Sequence, residues 1–241
     1  MVSVIDVDEP QSWPTGIADL TRELATRYQG STKYTCDLPL SYELEDEYYR
    51  VLDGKDLRAY HCTRLLPHEI EKIHREGLRL LTPVLVTERI NEAQQNRAIT
   101  AQEAADLHKS NVFAQAAEKH RENQVCLILS RNTFRHVGGV EPLLSMWGGE
   151  GIYMTGPSQE MEPRLRQIGK PAIVCAFIDL ASSPGRFRTA PLIHKVFVGA
   201  LLGLEDVGAD VFYKSPVPPE NIEAIWTPGD PDYDSFEGLP R

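Results

Sequence analysis

The sequence predicts an α+β chain. Helical patterns dominate the first half and strand patterns the second. The two do not alternate as they would in a doubly wound parallel sheet. Residues 171–180, "PAIVCAFIDL", are apolar and β-branched and form the clearest strand of the chain.

Taken in order, residues 1–15 are polar, carry Pro10 and Pro14, and are expected to be poorly ordered. Gly16 to Tyr28 fits a helix with Ile17, Leu20 and Leu24 on one face. "YELEDEYYRVL" fits a second short helix. Leu57 to Thr63 reads as a strand. Pro67 then opens a helix at its first position, and Gly77 ends it as a C-cap. Residues 79–86 read as an extended connection and residues 87–123 as two helices. Thr100 and Glu103 form a capping box that starts the second of these. Val125 to Ser130 is a buried strand, and Ile152-Tyr153-Met154 a short one. Residues 194–207 are apolar and fit either state. Asp210 to Lys214 is a strand. Pro218-Pro219-Glu220 turns the chain into a last strand, Asn221 to Trp226.

Composition bounds the function classes. The chain has 241 residues, 41% apolar and 25% charged, enough for a core without disulfides. It holds no apolar run of membrane-spanning length and no basic-then-apolar secretory leader. Cys36, Cys62, Cys126 and Cys175 are widely spaced, which fits reduced thiols and a cytoplasmic location. A toxin exported without a cleaved leader stays open. The net charge of -10 disfavours passive nucleic-acid binding. Residues 1–50 carry ten acids against four bases, and Asp230, Asp232 and Asp234 add to the acidic tail. Both ends are expected to be solvated faces, with the tail partly disordered.

Several chemistries find no support. "HEIEKIH" places His68 and His74 six apart, not at the i, i+4 spacing of two helical metal ligands. No metal site is expected. There is no G-x-S-x-G elbow. Cys62 and His61 are neighbours on a strand and point to opposite faces. "GGEGIY" lacks the Lys-Ser/Thr of a phosphate loop.

Three separated stretches fit together better: His61-Cys62-Thr63 followed by Ile70, Ile73, Glu76, Gly77 and Leu78; Gly149-Glu150-Gly151-Ile152-Tyr153; and Asp210 to Lys214 followed by Val217-Pro218-Pro219-Glu220. In these motifs the chain resembles the ADP-ribosyltransferase superfamily. The branch it resembles holds poly-ADP-ribose polymerases, diphtheria-type toxins and tRNA 2′-phosphotransferases. The likeness covers about residues 57–227 and implies a split antiparallel β-sheet with a helical insertion at 87–123. Residues 1–56 would then be an N-terminal extension and 228–241 an acidic tail.

The resemblance implies NAD as substrate, with ADP-ribose passed to a protein or nucleic acid and no metal required. A toxin or phage-defence role, with an antitoxin or regulatory protein as partner, follows from the same likeness. His61 and Thr63 share a strand face and can hydrogen-bond ribose hydroxyls. Cys62, Gly151 and Ile152 fall within the same binding motifs. Tyr153 offers a flat face for nicotinamide, and the glycines before it keep the wall thin. The plainer readings are a core aromatic for Tyr153 and a structural histidine for His61. The late carboxylate of the family falls at Asp210, one methylene shorter than Glu; Glu150, Glu220 and Glu223 are rivals by residue type. A phosphotransferase would recruit arginines such as Arg58, Arg64, Arg186 or Arg188. The same fold also accommodates an NAD glycohydrolase, or an inactive module that binds a nucleotide or a partner. The insertion reads as a solvated helical hairpin, or as a lid or partner surface.

Overall fold

The computed structural model describes residues 4–115, 122–135, 139–155, 158, 160–180, 189–190, 192–205 and 209–241. In chain order the described elements are α1 (Thr15–Tyr28), α2 (Tyr42–Leu52), β1 (Leu57–Leu65), α3 (Pro67–Glu76), α4 (Pro83–Gln95) and α5 (Ala101–Ser110). They continue with β2 (Val125–Ile128), α6 (Glu141–Ser145), α7 (Glu150–Tyr153), α8 (Met161–Gln167) and β3 (Lys170–Ile178). Last come β4 (Thr189–Ala190), α9 (Ile193–Leu202), β5 (Asp210–Tyr213), β6 (Ile222–Trp226) and α10 (Pro231–Asp234). The α+β class holds.

All six strands lie in one antiparallel sheet, in the order β4-β5-β2-β1-β3-β6. β1 and β3 pair along their whole length, from Leu57↔Ile178 to Leu65↔Lys170. β2 and β5 pair from Val125↔Tyr213 to Ile128↔Asp210. Between these two ladders only Tyr60↔Ile128 is in register. β1 and β2 therefore pair at a single point, and beyond Tyr60 no further pair between them is in register.

Side-chain alternation gives each face its own core. One face carries Leu57, Ala59, Leu127, Val174 and Val211, and packs against α1, α2 and α9. The other carries Tyr60, Cys62, Ile128 and Cys175 beneath Phe134, Leu144 and Tyr233. A third cluster joins Ile90, Leu107, Trp147, Ile152 and Leu165 among the helices α4, α5 and α8.

The termini depart from expectation. Ile5 and Val7 are fully buried, and Ile5 lies beside Leu57 as a parallel bridge. The Ile5 amide donates to the Asp56 carbonyl at 2.8 Å, and the Arg58 amide to the Ile5 carbonyl at 2.8 Å. Trp13 meets Phe197 edge-on at 5.0 Å. Ile5, Val7 and Trp13 thus belong to the main core, although residues 1–15 were expected to be poorly ordered. The acids nearest the N-terminus are matched within the fold: Asp6 pairs with Arg58 and Arg131, and Asp8 with Arg131. The tail is likewise folded. Tyr233 is buried and its hydroxyl donates to the Pro240 carbonyl at 2.6 Å.

The connection 79–86 is also shorter than expected, because α4 begins at Pro83 with Thr82 as N-cap. α5 carries the expected capping box, with the Thr100 amide donating to Glu103 and the Glu103 amide to Thr100 Oγ1. The hairpin of α4 and α5 is not solvated throughout, since Val86, Ile90, Ala93, Ala104 and Leu107 are buried. Residues 116–121 of the expected insertion lie outside the described residues. The ambiguous run 194–207 forms α9 as far as Leu202, and its residues 206–207 lie outside the described residues. The helix is buried on every side, so its sequence shows no amphipathic period. The Glu45 carboxylate caps it, accepting from the Ile193 amide at 3.0 Å and His194 Nδ1 at 3.1 Å. No helix among the described residues is long and apolar enough to cross a membrane.

Candidate functional site

The unpaired stretch between β1 and β2 places the site. On β1, His61 and Thr63 share the face opposite Tyr60, Cys62 and Arg64. The half-buried ring of His61 reaches across this stretch, and its Nδ1 lies 2.8 Å from the carbonyl oxygen of Cys126 on β2. A carbonyl only accepts, so Nδ1 carries the proton. Burial lowers the pKa of His61 below the ordinary imidazole value. The Cys126 hydrogen bond opposes that shift, and the charge of Arg89 adds to it. The ring is therefore neutral at physiological pH, with Nε2 left as an acceptor.

Helices α3 and α4 make the cleft wall next to this edge. Glu69, in the first turn of α3, is buried and caps that helix by accepting from the Leu66 amide at 2.8 Å. It also accepts from Arg89 Nε at 2.6 Å and from Trp147 Nε1 at 2.8 Å. Burial alone would raise its pKa. The Arg89 charge and these hydrogen bonds outweigh that and hold the carboxyl below its usual range. Arg89 stands over the Trp147 ring at 5.4 Å and donates from Nη1 to the Gly148 carbonyl at 3.3 Å. A cavity of about 100 Å³ lies between α3 and α4, lined by His61, Thr63, Glu69, Lys72 and Arg89. A second of about 70 Å³ shares His61, Thr63 and Arg89 and runs under Gly148, Gly149 and Glu150.

The glycine stretch closes the cleft, though not by leading into a strand. Gly148 and Gly149 have φ of 107° and 56°, and the chain then makes the single helical turn α7. Ile152-Tyr153-Met154 adds no strand to the centre of the sheet, because β1, β2 and β3 each already have neighbours on both sides. A Cβ at Gly149 would stand 3.4 Å from Thr63 Oγ1 and 3.9 Å from Arg89 Nη1. The missing side chain therefore leaves open the space between that hydroxyl and that guanidinium. Gly151 lines the smaller cavity, but its own Cβ would lie 2.9 Å from Val86, so close packing on α4 already requires glycine there. Ile152 is 3% exposed, packs in the third core cluster and lines neither of these two cavities. The side chain of Tyr153 lies outside what is described.

The carboxylates separate by face. Asp210 opens β5 opposite Ile128 and lines a larger cavity of about 370 Å³ on the far side of the sheet, with Tyr60, Cys62 and Phe212. Burial pushes the Cys62 thiol up, and Asp210 adds to the shift. Asp210 thus borders neither cavity of His61 and Thr63, whereas Cys62 lines both the larger cavity and the glycine-walled one. Glu150 lines both the glycine-walled cavity and the larger one. Glu223 is committed to Arg58 at 2.6 Å, and Glu220 sits in the turn Pro219–Asn221. Of the arginines, Arg58 pairs with Asp6 and Glu223. The buried Arg64 donates to the carbonyls of Ile168 at 2.7 Å and Leu144 at 3.3 Å. Arg186 and Arg188 lie outside the described residues.

Sequence reasoning missed Glu69, Arg89 and Trp147. Glu69 had a readable signal, since it stands two residues after a helix-opening proline, where it can cap that helix. Arg89 had none, lying in the polar run "TERINEAQQNR". Among the described residues no group of three or more His, Cys, Asp and Glu is placed to hold a metal ion. Comparison of the chain with protein-family models, curated proteins and solved structures finds no match.

Proposed function

We propose that the unpaired stretch between β1 and β2 is a binding site for NAD and that the protein transfers ADP-ribose from it to a macromolecule. The observation that carries this reading is the neutral His61, held by the Cys126 carbonyl with Nε2 as acceptor, beside Thr63 on the same face of β1. Two hydroxyl-reading groups on one rigid edge suit a ribose. The resemblance in the His61-Cys62-Thr63 and Gly149 to Tyr153 motifs supports the same ligand.

In this reading nicotinamide leaves with the electron pair of its C–N bond, and positive charge develops at the ribose carbon, as in glycoside cleavage. An acceptor oxygen or nitrogen bonds to that carbon, and its proton passes to a carboxylate. Glu150 takes this role in preference to Asp210, Glu220 and Glu223, because of these four it alone borders the cavity of His61 as well as the larger one.

Incubation of the protein with labelled NAD and a cell lysate, beside His61→Ala, tests the reading. Label on protein or nucleic acid, lost in the variant, is the expected result. NAD loss without label points to a glycohydrolase, and no NAD loss, even with 2′-phosphorylated RNA added, to a binding module. The displacement of Asp210 from the His61 face is the observation that favours a binding module.

A further inference from the structure

Resting on that reading of the cleft, we propose that Arg89 anchors the diphosphate of the bound dinucleotide, with Glu69 and Trp147 as positioning residues. Three cations line the cavity between α3 and α4, and each pairs with a glutamate: Lys72 with Glu92, Arg79 with Glu88 and Arg89 with Glu69. Arg89 differs. Its Nε is taken by Glu69 and its Nη1 by the Gly148 carbonyl, while Nη2 is buried and has no hydrogen-bond partner among the described residues. A buried unmatched donor on a cation is costly, and an anionic ligand group would relieve it.

The surroundings fix where such a group sits. Glu69 and the Trp147 ring hold the guanidinium plane from behind, so it is oriented before a ligand arrives. Gly149 leaves open the space between Arg89 Nη1 and Thr63 Oγ1, so one ligand can meet the arginine and the hydroxyl-reading edge together. Both cavities share Arg89, His61 and Thr63. The ligand class that follows is a ribose bearing a phosphate or diphosphate.

Titration calorimetry with ADP-ribose, inorganic pyrophosphate and adenosine tests this on the full chain, Arg89→Gln and Arg89→Lys. Arg89→Gln is expected to weaken ADP-ribose and pyrophosphate by roughly 10- to 100-fold and to leave adenosine unchanged. Arg89→Lys is expected to keep part of the affinity, because charge remains while the two-pronged geometry is lost. Should Arg89→Gln fail to fold, Arg89→Lys and the salt dependence of the wild type decide: ADP-ribose affinity must fall with salt and adenosine affinity must not. Wild-type-like ADP-ribose binding by both variants overturns the proposal, as does a wild type that binds ADP-ribose no more tightly than adenosine. Arg89-dependent ADP-ribose binding without NAD consumption keeps the anion site and removes the transferase reading. NAD consumption with an unchanged KM in Arg89→Gln removes the anion site alone.

Discussion

The Nδ1 nitrogen of His61 lies 2.8 Å from the carbonyl oxygen of Cys126, across the gap where β1 and β2 cease to pair. The contact holds the ring in place and fixes its tautomer. In a fully paired ladder a strand amide would meet that carbonyl; here a side chain does, and the opening beside it becomes the cleft.

His61→Ala is therefore expected to reduce NAD turnover by roughly 10-fold, the scale of one lost hydrogen bond to the ribose. Because the wild-type pKa is lowered, the neutral form persists below the ordinary imidazole value of about 6.5. Turnover should thus stay level through neutral pH and fall only in more acid solution, as a rate profile from pH 5 to 8 would show.

The same shift links to stability. The folded state binds a proton at His61 less readily than the unfolded chain does, so this contribution is present above about pH 6.5 and is lost as pH falls below it. In a thermal melt series from pH 7.5 to 5, the drop in Tm should be smaller for His61→Gln than for wild type. Equal slopes would remove His61 as a source of the pH dependence.

Glu69→Gln is expected to destabilise the fold by roughly 3 kcal/mol, because it leaves the partly buried Arg89 without its charge partner. The Glu69 pKa is lowered, so the wild-type stabilisation is present above the usual carboxyl range and fades as pH falls through it. Urea unfolding at pH 7 and pH 4 should show the variant closest to wild type at the lower pH.

Gly149→Ala separates the cleft from the fold. Its φ of 56° disfavours a side chain, at a cost on the order of 1–2 kcal/mol. The added methyl would also fill the space above Thr63 Oγ1. Thr100→Ala removes an N-cap on α5 at a similar cost of about 1 kcal/mol but touches nothing in the cleft. Calorimetry should find the two melting points lowered alike, with ligand affinity lost in Gly149→Ala alone.

Glu150→Gln and Asp210→Asn divide the carboxylate question. Turnover is expected to fall by roughly two orders of magnitude in Glu150→Gln and to stay near wild type in Asp210→Asn. The reverse ranking, measured as kcat on NAD, would return the role to the far side of the sheet.

The sequence by itself determined the elements that carry their own local signals. The helix at 67–76 was legible from Pro67 and Gly77, and α5 from the Thr100–Glu103 box. The strands read at 57–63 and 171–180 run from 57 to 65 and from 170 to 178, the second legible from its apolar, β-branched run. Alternation along β1 already placed His61 and Thr63 together and Cys62 apart from them. Tertiary structure decided what depends on partners distant in the chain. The acids of residues 4–9 read as solvated until Arg58 and Arg131 met them. Ile152 read as a strand residue until every central strand had its neighbours and the chain there closed into a helical turn. Arg89 read as a surface charge until α4 folded against Trp147. A side chain's exposure, and hence its electrostatic role, is set by which segments pack over it, and no periodicity within its own segment encodes that.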